Sequence, residues 1–321
     1  MTESSARMRG IEQTYKSRDV EEVIDIWFYR PIGYRIALVA KRFGLTPNGV
    51  TVIGILIGVT AGHFFFYDRF SLNAIGMGMW FLSNMFDSAD GQLARMTGRS
   101  TQFGRILDGM GGNFVFFSMY AHLCFRYALG DGLIGWWVFA LGLAAGASHS
   151  MQSSMADYYR NAFLRFVTRK GKGELDRSDA VRIEYNKLSW MRNFFKKAFY
   201  RIYLSYTIQQ EAFSPNFQKL RDTIETTIGA VAPDEVASRY RQLNKPLLKY
   251  YNYMTINGRV LTLFAFIAIG YPELFFVAEL TLMNLLLWII LRKQEKNNME
   301  MIEFVERRVS ASRGAVVEAT V

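Results

Sequence analysis

Between Leu133 and Ala147 no side chain carries a charge. A run of that length is unusual for the core of a soluble protein, and it is one of six apolar stretches. They lie at about 46–67, 71–90, 105–128, 133–156, 256–272 and 273–292, each close to the ~20 residues a helix needs to cross a bilayer. The expected fold is therefore all-α, a polytopic membrane protein with six transmembrane helices. Hydrophobic residues make up 50% of the 321 and aromatic residues 15%, which excludes a disordered chain. The first 19 residues are polar and lack the apolar core of a secretory signal peptide.

Basic residues set the orientation. Arg30, Arg35, Lys41 and Arg42 precede the first stretch, Arg95, Arg99 and Arg105 follow the second, and Arg292 and Lys293 follow the sixth. The links near Asp68, Asp131 and Glu273 hold almost no positive charge. Cytoplasmic loops are enriched in Lys and Arg, so both termini of this multi-pass integral membrane protein are expected on the cytoplasmic side.

Five regions follow from this reading. Residues 1–44 form a cytoplasmic N-terminus with an amphipathic helix, where Val20, Val23, Ile24, Trp27 and Phe28 recur at i, i+3, i+4, i+7 and i+8, and Asp19, Glu21, Glu22 and Asp25 take other faces. Such a helix lies in the membrane interface, and Pro31 is expected to break it. Residues 45–156 hold transmembrane helices 1–4, and 256–292 hold helices 5 and 6. Between them, 157–255 is a helical cytoplasmic insertion with 18 Lys and Arg against 10 Asp and Glu. Residues 293–321 form a cytoplasmic tail, expected to be disordered from about Ser310. The aromatic and basic run from Trp190 to Tyr206 suits anionic membrane lipid. Nucleic acid, the other partner of such surfaces, is not expected for a membrane-tethered chain. Gly54 with Gly58, and Gly142 with Gly146, permit close helix contact within a subunit or between two, and a homodimer is expected.

Ionisable side chains inside membrane spans are costly and point to function. Asp87 and Asp90 share one helix face at i and i+3, and Asp108 stands one turn into the next, antiparallel helix at a similar depth. Three carboxylates there would repel one another without a cation. A divalent metal with oxygen ligands, Mg²⁺ or Mn²⁺, resolves the repulsion; the plainer reading is that these aspartates end their helices or pair with Arg95 and Arg105. Cys124 is the single cysteine, so an intrachain disulfide and a zinc site built on cysteine pairs are excluded. His63 and His122 lack ligand spacing and read as packing residues. His149 reads as an interhelical hydrogen-bonding group, and Glu279 as protonated or paired.

The pattern Asp87-x-x-Asp90-Gly91-x-x-Ala94-Arg95, then Gly104-x-x-x-Asp108, resembles the signature of the CDP-alcohol phosphotransferase family, membrane enzymes of phospholipid biosynthesis. Pro47-Asn48-x-x-Thr51 at the first span adds to the likeness. The resemblance implies a CDP-linked donor, CDP-diacylglycerol or another CDP-alcohol, that enters from the cytoplasm and meets metal held by Asp87, Asp90 and Asp108. Gly91 and Ala94 would let a nucleotide lie against the helix, and Arg95 would offer a fork of donors to phosphate. Gly104 completes the motif, and Asn48 and Thr51 are further candidates for donor contact, or else cap the first span. The implied reaction moves a substituted phosphate to an alcohol and releases CMP.

The family pattern ends with a fourth aspartate, four residues after the third, thought to take the proton from the acceptor alcohol. Gly112 occupies that position here, followed by Asn113. Three readings stand: a helical bulge brings Asn113 to the site, the base comes from elsewhere, or catalysis is lost and the chain binds CDP-lipid and metal as a silent family member. Arg160 and Arg259 are candidates for binding a phosphorylated acceptor such as inositol phosphate, although basic residues at these ends also follow from topology alone. A transporter would instead place its charges near the midplane.

Overall fold

The computed structural model of the protein describes residues 20, 22, 24–130, 132–167, 175–229 and 233–318. Asp19, Glu21 and Val23 of the expected amphipathic helix lie outside them. Among the described residues every regular element is helical, in agreement with the all-α reading. By internal contacts the chain divides into two units, one of Met1–Ser150, Phe194–Phe199 and Ile256–Leu282, the other of Met151–Asn193, Tyr200–Thr255 and Met283–Val321.

The first unit opens with a π turn, Asp25–Tyr29, that runs directly into α1, Arg30–Arg42. Pro31 does not break the chain's helical course. It sits in the first turn of α1, and the preceding π turn, with the Arg30 N–H on the Asp25 carbonyl, absorbs the donor that proline lacks. The expected apolar stripe is also split. Val20 is buried, whereas Trp27 is 80% and Phe28 41% exposed.

Three long helices follow, α2 (Pro47–Phe64), α3 (Phe70–Thr97) and α4 (Gln102–Leu129). Thr46 caps α2 by accepting the Gly49 N–H at 3.1 Å, with Pro47 at the first helical position. Gly98 ends α3 with a φ of 66°, the left-handed geometry that a helix stop favours. Thr101 then caps α4 through the Gly104 N–H at 3.0 Å. The helices touch through small residues. Ser83 donates to the Gly54 carbonyl and Ser118 to that of Val59, both at 2.7 Å. A Cβ on Gly58 would stand 2.5 Å from Val115 Cγ2, one on Gly142 would meet Cys124 and one on Gly146 would meet Tyr120. The close approaches that these glycines permit are thus made within one chain.

Next come α5 (Val138–Val167), α6 (Ser178–Lys187), α7 (Phe194–Ala212), α8 (Pro215–Thr227) and α9 (Asp234–Tyr253). They are followed by α10 (Ile256–Ala268), α11 (Leu274–Ala278), a second π turn at Glu279–Met283, and α12 (Asn284–Glu318). In the second unit a buried polar seam joins α9 to α12, with Gln294 donating to Asn244 at 2.7 Å and Tyr251 to Gln294 at 3.3 Å. The helix of α12 continues to Glu318, past Ser310 where disorder is expected. That terminal stretch lacks proline, so no residue in it forces the helix to stop.

Among the described residues, two helical stretches, Pro47–Phe64 and Leu274–Ala311, are long and apolar enough to cross a membrane. The other expected spans are diluted by polar residues, such as Asn73, Ser83 and Asn84 in α3 and the run from Ser148 to Ser154 in α5, or are short, as α10 is at 13 residues.

Candidate functional site

The cap at Thr101 and the stop at Gly98 turn the chain back on itself, so the end of α3 and the start of α4 lie side by side. Oxygens of Asp87 and Asp90 on α3 and Asp108 on α4 all fall within 4.8 Å of one another. Asp90 is buried, and Asp87 and Asp108 are exposed. At 4.8 Å two unit charges repel by about 3.5 kcal/mol at an effective dielectric constant of 20, so three carboxylates this close favour a bound cation. Oxygens sharing a magnesium ion through bonds of about 2.0–2.1 Å lie about 3–4 Å apart. The three aspartates, all hard oxygen donors, could hold a divalent metal ion.

Residues flanking the cluster have definite places. Thr51, buried in the first turns of α2, has its Oγ1 2.5 Å from Asp90 Oδ2 and 3.1 Å from the Pro47 carbonyl. Its single proton serves one acceptor at a time. Asn48 lies against the start of α4, where its Oδ1 is 2.6 Å from the place a Cβ on Gly104 would take. A side chain at 104 would displace Asn48, which explains the motif glycine. Arg95 folds back along α3, its guanidinium 3.4 Å from where a Cβ on Gly91 would stand. Ala94 is half-buried beside it.

The acceptor side departs from expectation. Helix α4 is a single α-helix from Gln102 to Leu129, so the bulge that would bring Asn113 to the cluster does not form. At about 100° per residue, position 112 lies ~40° and position 113 ~140° around the helix from Asp108. Asn113 instead accepts a hydrogen bond from Ser150 at 3.3 Å. Arg259 is fully buried and paired with Glu279 at 2.5 Å, which spends on a carboxylate the charge expected for an acceptor phosphate. Arg160 belongs to the second unit and faces Asp157 at 3.8 Å.

Two groupings escaped the sequence reading. His63 and His122, 59 residues apart, bring ring nitrogens to 3.2 Å, with Tyr67 3.3 Å from His63. Tyr29 places its hydroxyl 3.5 Å from Asn84 Nδ2, on α3 just before Asp87.

Residues 44–164 match the family model described as CDP-alcohol phosphatidyltransferase. An archaetidylinositol phosphate synthase of Pyrococcus horikoshii is 35% identical over 102 residues, 32% of this chain and 50% of the relative. A phosphatidylinositol phosphate synthase of Mycobacteroides abscessus is 33% identical over 117 residues, 33% of this chain and 43% of the relative. That of Mycobacterium marinum is 40% identical over 67 residues, 21% and 28% of the two chains. The chain spans half or less of the length of these curated relatives. Over residues 44–164 this chain is thus similar to the CDP-alcohol phosphatidyltransferase family, a family of transferases.

Proposed function

We propose that the chain transfers a phosphatidyl-type group from a CDP-linked donor to an alcohol and releases CMP, with a phosphorylated polyol such as inositol phosphate as acceptor. The observation that carries this reading is the convergence of Asp87, Asp90 and Asp108 from two helices inside the residues that match the family. The acceptor class is supported by the names of the relatives, an archaetidylinositol phosphate synthase and two phosphatidylinositol phosphate synthases.

Asp87, Asp90 and Asp108 would hold Mg²⁺ or Mn²⁺, and the ion when bound would neutralise the donor's diphosphate and stabilise charge as CMP departs. Thr51 fixes the orientation of Asp90. Arg95, on its bed at Gly91, offers a planar pair of N–H donors to phosphate oxygens. The acceptor hydroxyl attacks the phosphorus bearing the lipid group, in line with the oxygen that CMP takes away. Positioning and charge do most of the work in such a transfer.

We place this chemistry at the cytoplasmic face of a six-span protein with both termini in the cytoplasm. The exposed Trp27 and Phe28 suit an N-terminal segment lying in the headgroup layer. A second reading, a member that binds CDP-lipid and metal without turnover, is favoured by Gly112 standing where the family has an aspartate.

The test is to incubate purified protein with CDP-diacylglycerol and Mg²⁺ against a panel of alcohols and their phosphates, following CMP release and lipid products by mass. The proposal expects one product with inositol phosphate, lost in Asp87→Asn and Asp90→Asn. Binding of the donor without CMP release from any acceptor would select the second reading.

A further inference from the structure

Close packing of α2 against α4 brings together a second set of metal-ligating groups, on the same helices but away from the aspartates. His63 and His122 turn nitrogens toward each other, Nδ1 of the first 3.2 Å from Nε2 of the second, with ring centroids 5.1 Å apart and ring planes at 82°. A tetrahedral ion bonded to both nitrogens at about 2.0–2.1 Å would set the nitrogens about 3.3–3.4 Å and the centroids about 5.2 Å apart. A hydrogen bond running straight through both rings would instead hold the centroids about 5.5 Å apart at the observed nitrogen separation. The rings as they stand are nearer the first arrangement.

The outer nitrogens of the pair are held as well. His122 Nδ1 lies 2.7 Å from the Ser118 carbonyl, which only accepts, so this nitrogen carries the proton and Nε2 keeps its lone pair. His63 Nε2 lies 3.3 Å from the Tyr67 hydroxyl, a group that donates or accepts equally well. Metal-bound histidines almost always donate their second N–H to such an oxygen, which fixes the ring. Binding of an ion therefore needs only a change of tautomer at His63: the proton leaves Nδ1 for Nε2, and Tyr67 turns from donor to acceptor. Arg126, one turn beyond His122, is paired with Asp68, which tempers its repulsion of an incoming cation. His63 is exposed and His122 half-buried, so the pair is open to entry.

Position and chemistry both separate this pair from the carboxylates. His63 lies 12 residues along α2 from Thr51, and His122 lies 14 along α4 from Asp108, or about 18 and 21 Å of helix. Imidazole suits zinc, copper and nickel, whereas carboxylates suit magnesium and manganese. We propose that His63 and His122 form a Zn²⁺ site, with Ser118 and Tyr67 orienting the rings and water completing the coordination. The ion would clamp α2 to α4 at the end away from the aspartates.

The experiment titrates the full chain, free of any histidine tag and held in detergent, with Zn²⁺ while excess Mg²⁺ competes at the carboxylates, and follows thermal unfolding in parallel. One equivalent of Zn²⁺ is expected to bind and to raise the unfolding midpoint, as any ligand of the native state does. His63→Gln and His122→Gln should each weaken binding at least tenfold and remove that rise, with an unchanged helical signal in circular dichroism showing that the variants fold. Tyr67→Phe should weaken binding by roughly 10- to 100-fold, as loss of an orienting partner does, and Asp87→Asn should bind Zn²⁺ like wild type. A wild-type chain that takes up no Zn²⁺ under these conditions, binding that survives both histidine substitutions, or binding lost in Asp87→Asn overturns the site. None of these outcomes bears on the transferase reading.

Discussion

Thr51 Oγ1 stands 2.5 Å from Asp90 Oδ2, a buried contact that ties the first turns of α2 to the carboxylate cluster. Asp90 is the buried member of the three aspartates, so its orientation depends on what the protein itself provides. Partners behind a metal ligand typically change affinity 10- to 100-fold when removed.

Thr51→Val keeps the shape and deletes the hydroxyl. It is expected to weaken Mn²⁺ binding by roughly 10- to 100-fold, whereas Thr51→Ser should bind like wild type. Titration of purified protein with Mn²⁺ distinguishes them, and equal affinity in the valine variant would remove the supporting role of Thr51.

Contact between α2 and α4 leaves no room at Gly62. A Cβ there would overlap Ser118 Oγ and stand 2.9 Å from the Met119 nitrogen, whereas one on Gly78 meets nothing within 4 Å. Gly62→Ala should destabilise by about 1–3 kcal/mol, as overpacking does, and Gly78→Ala should be neutral or slightly stabilising. Thermal unfolding in detergent reads the difference; an unchanged midpoint for Gly62→Ala would show that the two helices can separate at no cost.

Arg259 and Glu279 form an ion pair in which both side chains are fully buried. Removing one partner leaves a buried charge, so Arg259→Met is expected to cost about 3–5 kcal/mol. The double variant Arg259→Met with Glu279→Leu should recover most of that loss, because a buried pair and an apolar pair are often comparable in stability. If the double variant unfolds as readily as the single one, the pair contributes more than charge compensation.

Much of the site is legible in the sequence because its spacing is local. Asp87 and Asp90 share a face by helical periodicity alone, and a short loop brings Asp108 alongside. The first span is capped by Thr46, not by Asn48 or Thr51, which the sequence reading offers as caps. What escapes depends on tertiary partners. Arg259 and Glu279 are far enough apart that the turn between α10 and α11 decides whether they meet, and topology alone suggested a different use for the arginine. His63 and His122 meet only because α2 and α4 pack closely. Pro31 reads as a helix breaker because the π turn that accommodates it has no sequence signature. The glycine spacing is real, but it cannot say whether the neighbouring helix belongs to the same chain or another.

Divalent-metal binding to the purified chain tests the central claim most directly. A Mn²⁺ titration should reveal a site whose affinity falls at least tenfold in each of Asp87→Asn, Asp90→Asn and Asp108→Asn, with Mg²⁺ competing for it. Binding that is undisturbed by all three substitutions would contradict the account.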